Sequence, residues 1–140
     1  QCKFLLRMLQ RIILTPELTP YGVKPGPFAR RRLAALEAEL IAHEWTLLRM
    51  LSQPAVGIVP SVLKNRGAEL QQALTELMVD CCGDGLFSDS DADIAAAGDA
   101  EEGFPTPAAV VATYLDFRKM SIFAGTTEIQ KNIISKALLA

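Results

Sequence analysis

The chain has 140 residues, half of them hydrophobic and only 6% aromatic, which is enough to bury an aliphatic core without disulfides. A formal net charge of -2 excludes the basic surface typical of nucleic-acid-binding domains. Its cysteines, Cys2, Cys81 and Cys82, are odd in number and form no Cys-x-x-Cys pair, so they support neither a zinc site nor a disulfide framework. A reducing cytoplasm is the expected location, and no apolar run is long enough to predict a membrane span.

The first 14 residues carry apolar side chains at helical spacing, and Thr15-Pro16 should end this first helix. The apolar positions are Phe4, Leu5, Met8, Leu9, Ile12 and Ile13. Because the pattern already begins at Gln1, we expect a truncated first helix and a chain that is a piece of a longer polypeptide. A proline-rich loop should follow.

A second helix is predicted from about residue 28 to residue 51. Its leucines define the expected core stripe, flanked by further apolar residues: Leu33, Leu36, Leu40, Leu47 and Leu51, with Ile41, Trp45 and Leu48 beside them. The arginines at 30–32 indicate a solvated helix start, with a phosphate contact as the alternative. His43 has no partners in sequence for catalysis or metal binding, so a solvated or locally hydrogen-bonded histidine is expected.

The third helix should run to about Cys82, with Val62, Leu63, Leu70, Leu74, Leu77, Met78 and Cys81 on its buried side. Ser61-x-x-Lys64 has the spacing of penicillin-recognising serine enzymes, but the accompanying motifs are missing, which favours a capping serine and a surface lysine. Gly83 and Gly85 should stop the helix. The aspartates at 89–93 begin like a calcium loop that then fails, so an exposed acidic loop is expected.

A short helix is predicted from about residue 108 to residue 120, with Val110, Val111, Leu115 and Phe117 available for burial. The last helix should start after Gly125, with Thr126 or Thr127 as its cap and Thr127-x-x-Gln130 as a reciprocal capping box. Its apolar face would hold Ile129, Ile133, Ile134, Ala137 and Leu138. With no strand pattern, these elements predict an all-α, up-down four-helix bundle.

The stretch from Ile122 to Gln130 reads Ile-Phe-Ala-Gly-Thr-Thr-Glu-Ile-Gln and follows Asp116. It resembles the C-terminal signature of the acyl-CoA dehydrogenases, Ile-Tyr-Glu-Gly-Thr-x-Glu/Gln-Ile-Gln, and the order of helices agrees over nearly the whole chain. The resemblance implies the C-terminal helical bundle of such an enzyme, residues 1–140, which also carries most of the oligomer contacts. In this family a glutamate removes the α-proton of an acyl-CoA thioester, and the β-hydrogen leaves as hydride to FAD.

Carried over by position, Gly125, Thr126 and Glu128 fall where family members contact FAD. Gly83 and Gly85 fall where a glycine-rich turn approaches the cofactor of a neighbouring subunit. The resemblance further implies an acyl-CoA substrate, an electron-transfer flavoprotein or similar acceptor, a role in lipid metabolism, and a homo- or hetero-oligomer.

Three positions depart from the family pattern. Cys82 replaces a glycine, Leu115 replaces an arginine, and Ala124 stands where the catalytic glutamate is usual. Two hypotheses follow: the base lies in sequence outside this chain, or the chain is a base-less subunit that supports an active partner. In either case the 140 residues alone are not expected to turn over substrate.

Overall fold

The computed structural model describes residues 1–15, 25–52, 57–83, 86 and 106–139, and over these ranges the chain is helical with no strand. The helices are α1 (Cys2–Leu14), α2 (Pro27–Ser52), α3 (Val59–Cys82), α4 (Pro107–Phe117) and α5 (Thr127–Leu139). A 3-10 turn, Arg118–Ser121, directly follows α4. The prediction of an all-α domain is confirmed, and each predicted helix is present within a few residues of its expected bounds.

Helix α3 is the centre of the bundle, since it packs against α1, α2, α4, α5 and the 3-10 turn. Polar contacts give the helix directions. Lys3 pairs with Glu44 at 3.0 Å and Gln10 donates to Glu37 at 3.3 Å, so α1 and α2 run antiparallel. Helices α2 and α3 also run antiparallel, because a short connection joins them and Arg66 reaches back to Glu39 at 3.1 Å.

The core is aliphatic, as the composition predicts, and lies between α1, α2 and α3, with α4 closing one side. Its most deeply buried side chains come from four helices: Leu5, Leu9, Ile12, Ile13, Leu36, Leu74, Met78 and Val110. Burying such a side chain contributes about 1.5–3 kcal/mol relative to leaving it in water. These side chains therefore supply most of the packing that holds the three long helices together.

Several side chains expected in the core are exposed instead. On α2 the stripe is buried at Leu33, Leu36 and Leu40, but Leu47 and Leu51 lie on the surface, and Phe4, Val62 and Leu115 are exposed as well. Helix α5 has no buried residue, although its apolar face has the expected spacing. Helical periodicity identifies an apolar face but cannot show whether a neighbouring helix is long enough to cover it.

The ends of the helices follow local chemistry. Thr106 caps α4 by accepting a hydrogen bond from the Ala109 amide at 3.2 Å, and Pro107 occupies the first helical position. At the end of α1, the Thr15 hydroxyl donates to the carbonyl of Arg11 at 2.7 Å. None of the helices in the described ranges has the length and apolarity needed to span a bilayer.

Candidate functional site

The start of α5 is built around Thr126. Its hydroxyl oxygen accepts a hydrogen bond from the Ile129 amide at 3.2 Å, and its carbonyl accepts from the Gln130 amide at 3.0 Å. The predicted capping box at Thr127-x-x-Gln130 is wrong by one residue, because Thr127 is already helical and its hydroxyl donates to the Ser121 carbonyl at 3.3 Å. Thr126 is therefore the cap, and Thr127 ties the helix to the preceding turn.

The two residues before Thr126 are both left-handed. Gly125 has φ of 90° and Ala124 has φ of 56°. Glycine adopts this region freely, whereas a residue with a Cβ atom loses roughly 1–2 kcal/mol there. The side chain of Gln130 folds back over the turn, and a Cβ atom at Gly125 would also lie 2.7 Å from its Nε2 atom. The chain thus enters α5 through a tight, locally strained turn.

Glu128 lies in the first turn of α5 and is exposed. Hydrogen bonding to its own backbone N–H and then to the Thr126 hydroxyl holds the pKa of this carboxyl below its ordinary value, and the charges of Lys131 and Lys64 act in the same direction. Glu128 is consequently a carboxylate at neutral pH. Its oxygens can accept hydrogen bonds from a ligand that approaches the start of the helix.

Lys64 and Ser61 differ from the expectation of a surface lysine and a capping serine. Ile58 occupies the cap position of α3, whereas Ser61 lies inside the helix and is buried. The Lys64 ammonium nitrogen is shielded from solvent and makes no hydrogen bond within the described part of the chain. Lys64 is half-buried, α3 packs against α5, and the Lys64 charge lowers the pKa of Glu128, so the lysine faces the α3–α5 contact rather than open surface.

The predicted glycine turn at the end of α3 is separate from the start of α5. Gly83 closes α3 with φ of 51°, and its amide donates to the Val79 carbonyl, while Gly85 lies outside the described residues. Along a helix that rises about 1.5 Å per residue, Gly83 stands about 28 Å beyond Lys64. The structure therefore brings Gly125, Thr126 and Glu128 together but leaves Gly83 toward the opposite end of α3.

His43 and the arginines at 30–32 do not join this group. The His43 imidazole packs against Gly67, where a Cβ atom would lie 3.5 Å from the ring. Burial lowers the pKa of His43, with the Arg66 charge adding to the shift and Glu44 opposing it, so the ring is neutral at pH 7. All three arginines are exposed. No cluster of three potential metal ligands occurs within the described ranges.

Sequence reasoning missed the polar contacts that connect α3 to the end of α4. Gln72, Thr75 and Arg118 form hydrogen bonds across this junction. The available signal was the pair Gln71-Gln72 inside the apolar stripe of α3, since a polar side chain on a half-buried helix face needs a partner. No local sequence pattern indicates which partner Gln72 has.

A family model described as "Acyl-CoA dehydrogenase, C-terminal domain" matches residues 25–139, which covers α2 through α5 and therefore most of the chain. The comparisons with curated proteins and with solved structures found no match. The matched range includes the left-handed turn and the start of α5. The chain therefore belongs to the acyl-CoA dehydrogenase family, of which it represents the C-terminal domain.

Proposed function

We propose that this domain forms part of an FAD-dependent enzyme that introduces an α,β double bond into an acyl-CoA thioester. The observation that carries the proposal is the left-handed turn at Ala124 and Gly125, which leads into a helix start where Thr126 and Glu128 offer polar atoms. This geometry lies within residues 25–139, the range that the family model matches. In this proposal Gly125, Thr126 and Glu128 contact the cofactor, and Gly83 and Gly85 approach the cofactor of a neighbouring subunit.

The groups at the start of α5 fit a polar cofactor edge. Gly125 leaves its backbone free of a side chain, and the Glu128 carboxylate accepts hydrogen bonds but repels anions. A hydroxyl- or N–H-bearing part of FAD would therefore lie beside Glu128 more favourably than a phosphate. When bound, the flavin supplies the hydride acceptor, while the protein residues orient it.

The proton-abstracting base must come from elsewhere. The methyl group of Ala124 cannot take a proton, so we place the glutamate base outside this chain's residues 1–140. The alternative is a non-catalytic subunit that assembles with a base-bearing partner. Ala124 favours this alternative, whereas the intact turn at Gly125 and Thr126 favours a working flavin site.

Helix α2 offers an apolar surface that supports a role in assembly. Ile41, Trp45 and Leu48 lie on one face of the helix and are each more than half exposed; we refer to these three residues as the α2 apolar surface. A contiguous patch of large apolar side chains on a domain surface is typical of a protein interface. We propose that it packs against another subunit, homo- or heteromeric, in an enzyme of cytoplasmic lipid metabolism that passes electrons to an electron-transfer flavoprotein or a similar acceptor.

The test uses the full-length chain, by which we mean the longer polypeptide that we expect to contain these 140 residues. The purified protein is examined by visible absorption before and after anaerobic addition of acyl-CoA thioesters of different length and branching. We expect bound flavin whose absorption is bleached by at least one thioester. Flavin that no thioester bleaches, or no bound flavin at all, would support the non-catalytic alternative, and the absence of flavin would also overturn the cofactor contacts proposed for Gly125, Thr126 and Glu128.

Two glycine variants make the result specific to the turn. Gly125→Ala should reduce flavin occupancy, because alanine is strained at this left-handed φ and its Cβ atom would displace the Gln130 side chain. Gly26→Ala is the matched control, since no atom of the described residues lies within 4 Å of a Cβ atom at that position. Equal flavin content in the two variants would remove Gly125 from the cofactor site.

A further inference from the structure

The end of α4 is held against the middle of α3 by the buried Phe117 and by hydrogen bonds from one glutamine. The Gln72 side-chain nitrogen donates to the carbonyl oxygens of Phe117 at 3.3 Å and of Arg118 at 3.2 Å. Carbonyls in the last turn of a helix lack partners within the helix, so an external donor satisfies them. Gln72 therefore fixes the point where the chain leaves α4.

Arg118 in turn donates hydrogen bonds to α3. Its Nη2 donates to the Gln72 carbonyl at 2.9 Å and to the Thr75 hydroxyl at 3.4 Å, and its guanidinium lies over the Tyr114 ring, 4.5 Å from the centroid. Residues 72 and 118 thus exchange hydrogen bonds in both directions. We name this reciprocal contact between Gln72 and Arg118 the Gln72–Arg118 latch.

The turn that follows the latch has little packing of its own. Ile122, Phe123 and Ala124 are all exposed, so apolar burial does not hold them in place. The turn is instead fixed at its two ends. The latch and the bonds of the 3-10 turn, including Phe123 N to Lys119 O at 2.8 Å, hold the first end, and the Thr127–Ser121 contact holds the second.

We infer that Gln72 and Arg118 are positioning residues for the left-handed turn and hence for the cofactor contacts of Gly125, Thr126 and Glu128; this inference rests on the function proposed above. Neither residue contacts the cofactor in this proposal. They act by fixing where the exposed turn begins, so their loss should loosen the start of α5 while the aliphatic core of α1, α2 and α3 stays intact.

The experiment compares variants of the full-length chain. Gln72→Met keeps the length of the side chain but removes both donors, and Arg118→Met removes the return contact. Lys119→Ala is the matched control, because Lys119 is exposed and its ion pair, among the described residues, is a local one with Asp116. Arg118→Lys tests rescue, since it restores a cation that can donate to the Gln72 carbonyl.

Two readouts separate positioning from general stability. Hydrogen exchange of the amides at 122–130 should become about tenfold faster in Gln72→Met and Arg118→Met, as expected from the loss of charge-assisted and part-buried hydrogen bonds, with α1 and α2 unchanged. The dissociation constant for FAD should rise by a similar factor. Lys119→Ala should match the parent chain, and Arg118→Lys should exchange more slowly than Arg118→Met.

The outcomes are distinct. Unchanged exchange at 122–130, or equal acceleration in every helix, would overturn the positioning role. Faster local exchange with unaltered FAD binding would overturn its link to the cofactor. A parent chain that binds no FAD would overturn the proposed function, while the exchange measurements would still decide whether the latch positions the turn.

Discussion

Cys81 and Cys82 adjoin in sequence, but both are buried at the end of α3. Burial raises the pKa of Cys81 to about 11, and the neighbouring Asp80 adds to the shift. Because the thiolate is the reactive form, Cys81 should resist alkylation in the folded protein. At pH 7.5, mass spectrometry of maleimide-treated protein should show label on the partly exposed Cys2 and none on Cys81 or Cys82 until denaturant is added.

The same pKa sets a pH dependence. The folded state favours the neutral Cys81 thiol, so its contribution to stability is complete below the ordinary pKa of 9.0 and is lost as the pH rises toward about 11.

A Cys2→Ser variant is the control for the labelling experiment, since the folded protein should then take up no label. Labelling of Cys81 as fast as Cys2 in folded protein would contradict this account.

Single residues show where sequence reasoning reaches its limit. The sequence predicts that the last helix starts after Gly125, and the structure gives this glycine a left-handed φ. The left-handed Ala124 was not foreseeable, because alanine carries no preference for that region. The contact of His43 with Gly67 could not be predicted from the sequence either, since it joins two helices and depends on their packing.

At the scale of the element, the two threonines that open α5 make a matched pair. Thr126→Ala removes the cap and should destabilise the helix by about 1 kcal/mol, which is roughly a fivefold loss of amide protection. Thr127→Ala removes only the bond to the Ser121 carbonyl and should cost less. Exchange rates of the α5 amides measure both. A larger effect from Thr127→Ala would show that the cap lies one residue later, as the capping-box pattern suggested.

The five helices were predictable because each carries a strong local signal: apolar periodicity, a proline near its start or a glycine at its end. The boundary between α4 and the 3-10 turn was not, since the residues through Met120 were expected to continue one helix. Gln72 and Arg118 meet across this boundary, although 46 residues separate them in sequence. No local pattern indicates a contact of that kind.

At the scale of the whole molecule, the α2 apolar surface should govern association. The double variant Trp45→Ser/Leu48→Ser removes two large side chains, 64% and 54% exposed, from its centre. Sedimentation of the full-length chain should show a shift toward the monomer, because the buried apolar area drives association. Phe28→Ser is the control, being similarly exposed but about 25 Å away along the same helix.

An unchanged sedimentation profile for the double variant would exclude this surface as the interface.

Fold class and family followed from the sequence because they depend on patterns within single helices and on one signature segment. Which apolar faces are buried could not be predicted from the sequence, since burial depends on which helix surfaces face each other once the chain has folded. Leu47 and Leu51 were assigned to the core for that reason, and the structure places them outside it.

Helix α5 has only 13 residues and buries none of them. Isolated helices of that length are marginal in water, so this one draws little stability from its own backbone. Its helical population then depends on what covers its outer face, and a covering partner would spend part of its binding free energy on ordering this segment. The segment that we propose as a cofactor contact would in this way report on the state of the assembly.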